Sequence, residues 1–148
     1  MLIYRICRAE FATNLNASGF AGRWNMDGQW VIYASATRSL AALELLANRS
    51  GSGLSSPYRV MAIDVPSTSI RIVSTEMLSS NWRLFSGYGR LQEVGAEWYR
   101  RMDLLLLRVP SVLVPQEFNY LIHTKHPDFG SSVRLMGVED FNWDGRLI

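Results

Sequence analysis

An α+β fold is predicted for this chain, as a single domain over residues 1–148, from three observations. The predicted strands and helices follow one another without a regular βαβ rhythm. Of the 148 residues, 48% are hydrophobic, enough to bury a substantial core. Asp103 to Val109 is a near-continuous apolar run of strand length, as expected for an interior strand. No repeat, linker or low-complexity segment divides the chain.

The imperfect alternation of Leu2 to Arg8 predicts an opening strand, with Arg5 on the face of Ile3 and Cys7, either snorkelling at a core edge or pointing into a cleft. Small and polar residues make Phe11 to Phe20 a loop, Asp27-Gly28 a turn, and Trp30 to Ala34 a strand of aromatic and β-branched residues. Ser35 or Thr37 can cap a helix that runs to about Asn48. Its Leu40, Leu43, Leu46 and Ala47 form one face while Ala41, Ala42 and Leu45 fill much of the other, which predicts burial nearly all round. Ser50 to Pro57 reads as a flexible surface loop and Tyr58 to Val65 as a strand stopped by Pro66. Ser67 to Val73 adds a short strand, and Leu91, Val94, Trp98 and Met102 recur at helical spacing between Gly87 and Met102. Pro110-Ser111 breaks the interior strand, which Val112 to Val114 is expected to resume; a closing strand or two follows from Ser131 to Ile148.

A formal charge of +2 is too small for nucleic-acid binding by bulk electrostatics. The single cysteine, Cys7, excludes an intrachain disulfide and a thiolate metal cluster. His123 and His126 suggest a metal pair only weakly, with no third ligand close by, so no metal is expected. Neither a secretory signal nor an apolar stretch of the roughly 20 residues that a membrane helix needs is visible. A soluble cytoplasmic protein is expected.

The chemistry concentrates between Gly19 and Asn48, where Arg23, Tyr33, Ser35 and Glu44 belong to different local elements that a fold can converge on one pocket. Glycine at position 22 permits close backbone approach, Arg23 offers a fork of donors and Trp24 a flat surface for a ring. Glu44 lies beside Leu40 in an apolar helix. There a carboxylate is paired, protonated or facing a cavity, since burying it alone is costly; a structural salt bridge to an arginine is the plain alternative to a functional role. Ser111 sits where a strand ends, a common place for functional side chains and also for simple turns.

Taken together, YRICRAEF at the start, GRWN at 22–25, VIYAS at 31–35, ALELL at 42–46, YRVMAIDVP at 58–66, PSVLVPQEFNYLI at 110–122 and HP at 126–127 resemble the RES domain. This is the toxin half of a bacterial toxin–antitoxin pair, and its pieces occur here in order along nearly the whole chain. The resemblance implies a mixed sheet with helices similar to ADP-ribosyltransferases, and an activity that consumes NAD+ by cleaving the nicotinamide–ribose bond. It places the family's arginine, glutamate and serine on Arg23, Glu44 and Ser111, with Tyr33 in the same pocket. The chain departs from the family pattern at His123, where asparagine usually follows NYLI, and at Ala47-Asn48, where a histidine often follows the helix glutamate.

On this reading Glu44 stabilises an oxocarbenium-like transition state or holds the ribose hydroxyls, and Arg23 grips the pyrophosphate. Tyr33 and Trp24 wall the rings, Ser35 contributes to the pocket, and Ser111 bonds the nicotinamide ribose or amide. NAD+ is expected as a consumed substrate, because the chain has no Gly-x-Gly-x-x-Gly turn of a Rossmann cofactor site. An Xre-like DNA-binding antitoxin is the implied partner. Transfer of ADP-ribose to a protein, or a catalytically silent antitoxin-binding module, are the alternatives.

Overall fold

The computed structural model describes residues 1–49 and 54–148. Of the expected loop at Ser50 to Pro57, residues 50–53 lie outside the described residues. In chain order the elements are β1 (Leu2–Arg8), β2 (Val31–Ser35), α1 (Arg38–Asn48), β3 (Tyr58–Asp64), β4 (Ile70–Ile72) and α2 (Tyr88–Arg101), then β5 (Leu106–Pro110), β6 (Phe118–His123), α3 (Phe129–Ser132) and β7 (Arg134–Phe141). The strands form one seven-stranded sheet in the order β4-β5-β6-β2-β1-β3-β7. Only β4 and β5 run parallel; every other neighbouring pair is antiparallel. The predicted α+β class therefore holds, as a mixed sheet carrying helices.

Register sorts the sheet residues onto two faces, because side chains directly opposite one another across paired strands point the same way. Ile3, Cys7, Ile32, Met61, Ile63, Leu106 and Ile122 share one face and build the largest core cluster. Arg5 belongs to that face, and its guanidinium Nη1 donates to the Asn16 carbonyl at 3.2 Å. The opposite face is covered twice. Helix α1 lies over Ile6, Tyr58 and Val60, while α2 lies over Val31, Leu107, Val109 and Leu121. Between the helices the sheet surface carries Tyr33, Ser35 and Asn119.

Two local features hold this arrangement. The Thr37 hydroxyl oxygen accepts the Leu40 N–H at 3.1 Å, so Thr37 rather than Ser35 caps α1. In α2, a Cβ added at Gly95 would stand 1.6 Å from the Trp24 carbonyl oxygen, so the helix packs backbone to backbone against the segment that carries Arg23.

Two sequence expectations are corrected. Helix α1 is not buried all round: only Leu40 and Ala41 are buried, and Leu43 is 41% exposed. One side of the helix covers the sheet, one borders an open cavity and the rest meets solvent, so its leucines outnumber the core positions available. Val112 to Val114 does not resume a strand. The Leu113 and Val114 N–H groups both donate to the Ser111 hydroxyl at 3.1 Å, and Glu117 N–H donates to the Val114 carbonyl, so the chain turns there. Strand β6, to which no element was assigned, continues the sheet.

His123 is fully buried, its ring stacked on Tyr99 at 3.8 Å between centroids. Its Nδ1 accepts the Lys125 N–H at 3.2 Å, which leaves Nε2 to donate to the Tyr99 carbonyl at 2.9 Å. Both nitrogens are thus occupied, and burial holds its pKa below the ordinary value, so the ring is a neutral core group. Among the described residues, no cluster of three histidine, cysteine, aspartate or glutamate side chains is placed to hold a metal. No helix among them is long and apolar enough to cross a membrane.

Candidate active site

Glu44 emerges from the middle of α1 toward the sheet, and two donors from distant parts of the chain meet one of its oxygens. The Ser111 hydroxyl donates to Glu44 Oε1 at 2.8 Å, and the Asn119 amide Nδ2 donates to the same oxygen at 2.7 Å. Ser111 is fully buried directly after β5, and its oxygen accepts the Leu113 and Val114 N–H groups, so its hydrogen is committed to Glu44. Asn119 is oriented from the other side, since the Ser35 hydroxyl donates to its Oδ1 at 2.6 Å across the β2–β6 pair. The carboxylate is held through Oε1 by a relay that runs from Ser35 through Asn119 and, separately, from Ser111.

A second network fixes the arginine loop. The Tyr33 hydroxyl donates to Asn25 Oδ1 at 2.6 Å and accepts the Trp24 N–H at 3.0 Å. Burial raises the Tyr33 phenol well above its ordinary pKa, so this donor is retained across the physiological range. The Asn25 side chain, 1% exposed, donates through Nδ2 to the carbonyls of Phe20 and Gln29. From α2, Gln92 Nε2 donates to the carbonyls of Gly22 and Asn25 at 3.0 and 3.3 Å. A Cβ at Gly22 would stand 2.6 Å from the Tyr33 hydroxyl and 2.8 Å from Asn25 Oδ1, so any larger residue there must displace this pair. Tyr33→Phe leaves the Trp24 donor and the Asn25 acceptor without this partner. It is expected to lower stability by about 1–3 kcal/mol in urea unfolding, and an unchanged midpoint would count against the role given to the hydroxyl.

Arg23, at the tip of this loop, projects its guanidinium over the Tyr88 ring at 5.2 Å from the centroid. It forms no ion pair with Glu44 or with any other carboxylate among the described residues. The two charges therefore do not make the structural salt bridge that the sequence left open. Both instead line one cavity of about 700 Å³, together with Phe20, Tyr33, Tyr88 and Asn119. A smaller cavity of about 230 Å³ adjoins it, sharing Tyr33, Glu44, Asn48 and Asn119 and bounded by Tyr4 and Ser35, where β1 and β2 pair at a single position.

The structure brings Arg23, Tyr33 and Glu44 to one cavity; Ser111, fully buried, is not among the residues that line it and reaches the site through its hydrogen bond to Glu44. Trp24 is 3% exposed and packs into the core beneath α2 with Val31, Leu91 and Trp98, and it also borders the larger cavity beside Tyr33 and Tyr88. Ser35 is 4% exposed and acts through Asn119. Asn119, Asn25 and Gln92 were missed. The signal for Asn119 was present: a polar side chain inside the apolar run of β6, at the pairing position of Ser35.

A model of the RES domain matches residues 2–144. The chain is 29% identical over 152 residues to "Toxin Res" of Photorhabdus laumondii, covering 100% of this chain and 97% of that one. It is 30% identical to "Toxin Res" of Yersinia enterocolitica, covering 99% of each. It is 31% identical to "Prs ADP-ribosylating toxin" of Sphingobium sp., covering 97% of this chain and 91% of that one. A chain in the crystal structure of the M. tuberculosis MbcT–MbcA toxin–antitoxin complex superposes with a TM-score of 0.75 at 21% identity, over 95% of this chain and 84% of that chain, a likeness of fold.

Proposed function

Since the chain belongs to the RES domain family, we propose that it is the toxin of a toxin–antitoxin pair and that it degrades NAD+ by cleaving the nicotinamide–ribose bond. The observation that carries this reading is the Glu44 carboxylate, held by Ser111 and Asn119 and facing a cavity that also contains the unpaired Arg23. Cleavage sends the glycosidic electron pair to the nicotinamide nitrogen, which leaves neutral, while positive charge grows on the ribose carbon and ring oxygen. A carboxylate fixed beside that carbon stabilises the charge as it develops, without having to reorganise. Arg23 supplies the cation for the pyrophosphate, and Tyr33 and Tyr88 bound the space for the rings. NAD+ enters as a substrate that is consumed, by water as a glycohydrolase or by phosphate as a phosphorylase.

Transfer of ADP-ribose to a protein side chain is the second reading. The name of the Sphingobium relative, an ADP-ribosylating toxin at 31% identity, favours it, and the same bond breaks first in either case. The proposed partner is an Xre-like DNA-binding antitoxin whose segment covers the cavity; the M. tuberculosis relative of this fold was solved with its antitoxin. A complex in which the antitoxin leaves the cavity open would remove that part of the proposal. The proposed place of action is the cytoplasm, where the substrate pool lies.

Purified protein incubated with NAD+ is expected to release nicotinamide, and release of none overturns the proposal. Dependence on added phosphate distinguishes phosphorolysis from hydrolysis, and ADP-ribose on lysate proteins detected by mass spectrometry identifies transfer. Arg23→Lys keeps the charge but loses the two-pronged grip, and is expected to raise KM for NAD+ by roughly 10- to 100-fold. A KM equal to the wild type would remove Arg23 from the pyrophosphate.

A further inference from the structure

Phe20 lines the larger cavity, yet its side chain is 78% exposed. Its backbone is tied down on both sides. The Phe20 N–H donates to the Ser18 hydroxyl at 3.2 Å, its carbonyl accepts from Asn25 Nδ2 at 3.0 Å, and the next N–H, of Ala21, donates to Asp27 Oδ1 at 2.8 Å. Gly19, at φ 76° and packed against the Trp30 ring, bends the chain immediately before it, and the Gly28 N–H donates to the Gly19 carbonyl at 2.9 Å. An apolar ring is thus presented to solvent from a braced loop at the rim of a cavity, at a place where folding gains little from it.

We infer that Phe20 is the platform on which the adenine base of the dinucleotide stacks, and so a determinant of selectivity for dinucleotides over mononucleotides. The inference rests on the proposed NAD+ reading and assigns the other end of the substrate. The reacting ribose must lie at Glu44, against the sheet. Arg23, three residues beyond Phe20 in the same loop, supplies the cation for the pyrophosphate in between. The Tyr88 ring already carries the Arg23 guanidinium over its face. Phe85 is also exposed, but it stacks on Tyr88 outside the cavity lining, whereas Phe20 is an exposed phenyl ring that itself lines the cavity, and a base stacks on such a ring whatever its hydrogen-bonding edge.

The test uses the full chain and measures nicotinamide release from NAD+, with ADP and nicotinamide mononucleotide as competitors. Phe20→Ala is expected to raise KM for NAD+ and the inhibition constant of ADP together, by roughly 5- to 50-fold. The inhibition constant of nicotinamide mononucleotide and kcat should stay within about twofold, and Phe20→Tyr should restore wild-type values. Because the side chain is exposed, the thermal midpoint of Phe20→Ala should match the wild type. An unchanged KM, or equal weakening of both competitors, overturns the adenine assignment while leaving the NAD+ reading intact. A wild type that releases no nicotinamide overturns both.

Discussion

Glu44→Gln should release nicotinamide from NAD+ roughly a hundred- to a thousandfold more slowly than the wild type while remaining folded. The glutamine carbonyl oxygen can accept the same two hydrogen bonds, from Ser111 and Asn119, that Glu44 Oε1 accepts now. What is removed is the negative charge beside the ribose. The stability of this variant is expected within about 1 kcal/mol of the wild type, whereas Glu44→Ala leaves two donors unmatched and should cost about 1–3 kcal/mol. Kinetics and urea unfolding on the three proteins separate the effects. A glutamine variant with wild-type turnover would show that Glu44 is an architectural acceptor and nothing more.

Gly95→Ala should be the most damaging glycine-to-alanine change among the described residues. The added carbon would lie 1.6 Å from the Trp24 carbonyl oxygen and 2.6 Å from its carbonyl carbon, so backbone must move on one side or the other. Overpacking of this kind against backbone is expected to cost about 3 kcal/mol or more. Displacing α2 also withdraws Gln92 from the carbonyls of Gly22 and Asn25, so turnover should fall with stability. Gly89, on the same helix, is the control: a Cβ there meets nothing within 4 Å, and alanine should be neutral or stabilising by up to about 1 kcal/mol. Equal midpoints for Gly95→Ala and the wild type would falsify the close-packed contact.

Much of the fold was legible from the chain because its signals are local. Strand β1 over Leu2–Arg8 matches the predicted span, and α1, α2 and β5 fall within a few residues of it. Two differences, at Leu43 and at Val112 to Val114, share one cause, namely that apolar content does not by itself mean burial or strand. Leu43 is apolar and exposed because it stands on the side of α1 that meets solvent, and Val112 to Val114 is apolar and turned because Ser111 captures two of its N–H groups. Trp24, a flat surface for a ring by its side chain alone, is also a core residue, because α2 packs Leu91 and Trp98 against it.

The sequence by itself determined that Arg23, Glu44 and Ser111 are distinctive and that they stand on separate elements, since a glycine-flanked arginine, an acid in an apolar helix and a serine at a strand end are all statements about neighbours along the chain. Only the tertiary structure decided how they relate. Side-chain hydrogen bonds join residues far apart in sequence, and in this chain they give Glu44 to Ser111 and Asn119 rather than to Arg23. Whether the Glu44 carboxylate is neutralised by an arginine or held by neutral donors is a matter of distance in space, which no spacing along the chain contains. That difference leaves one fixed negative charge and one unpaired positive charge on a shared cavity, the arrangement from which the proposed chemistry follows.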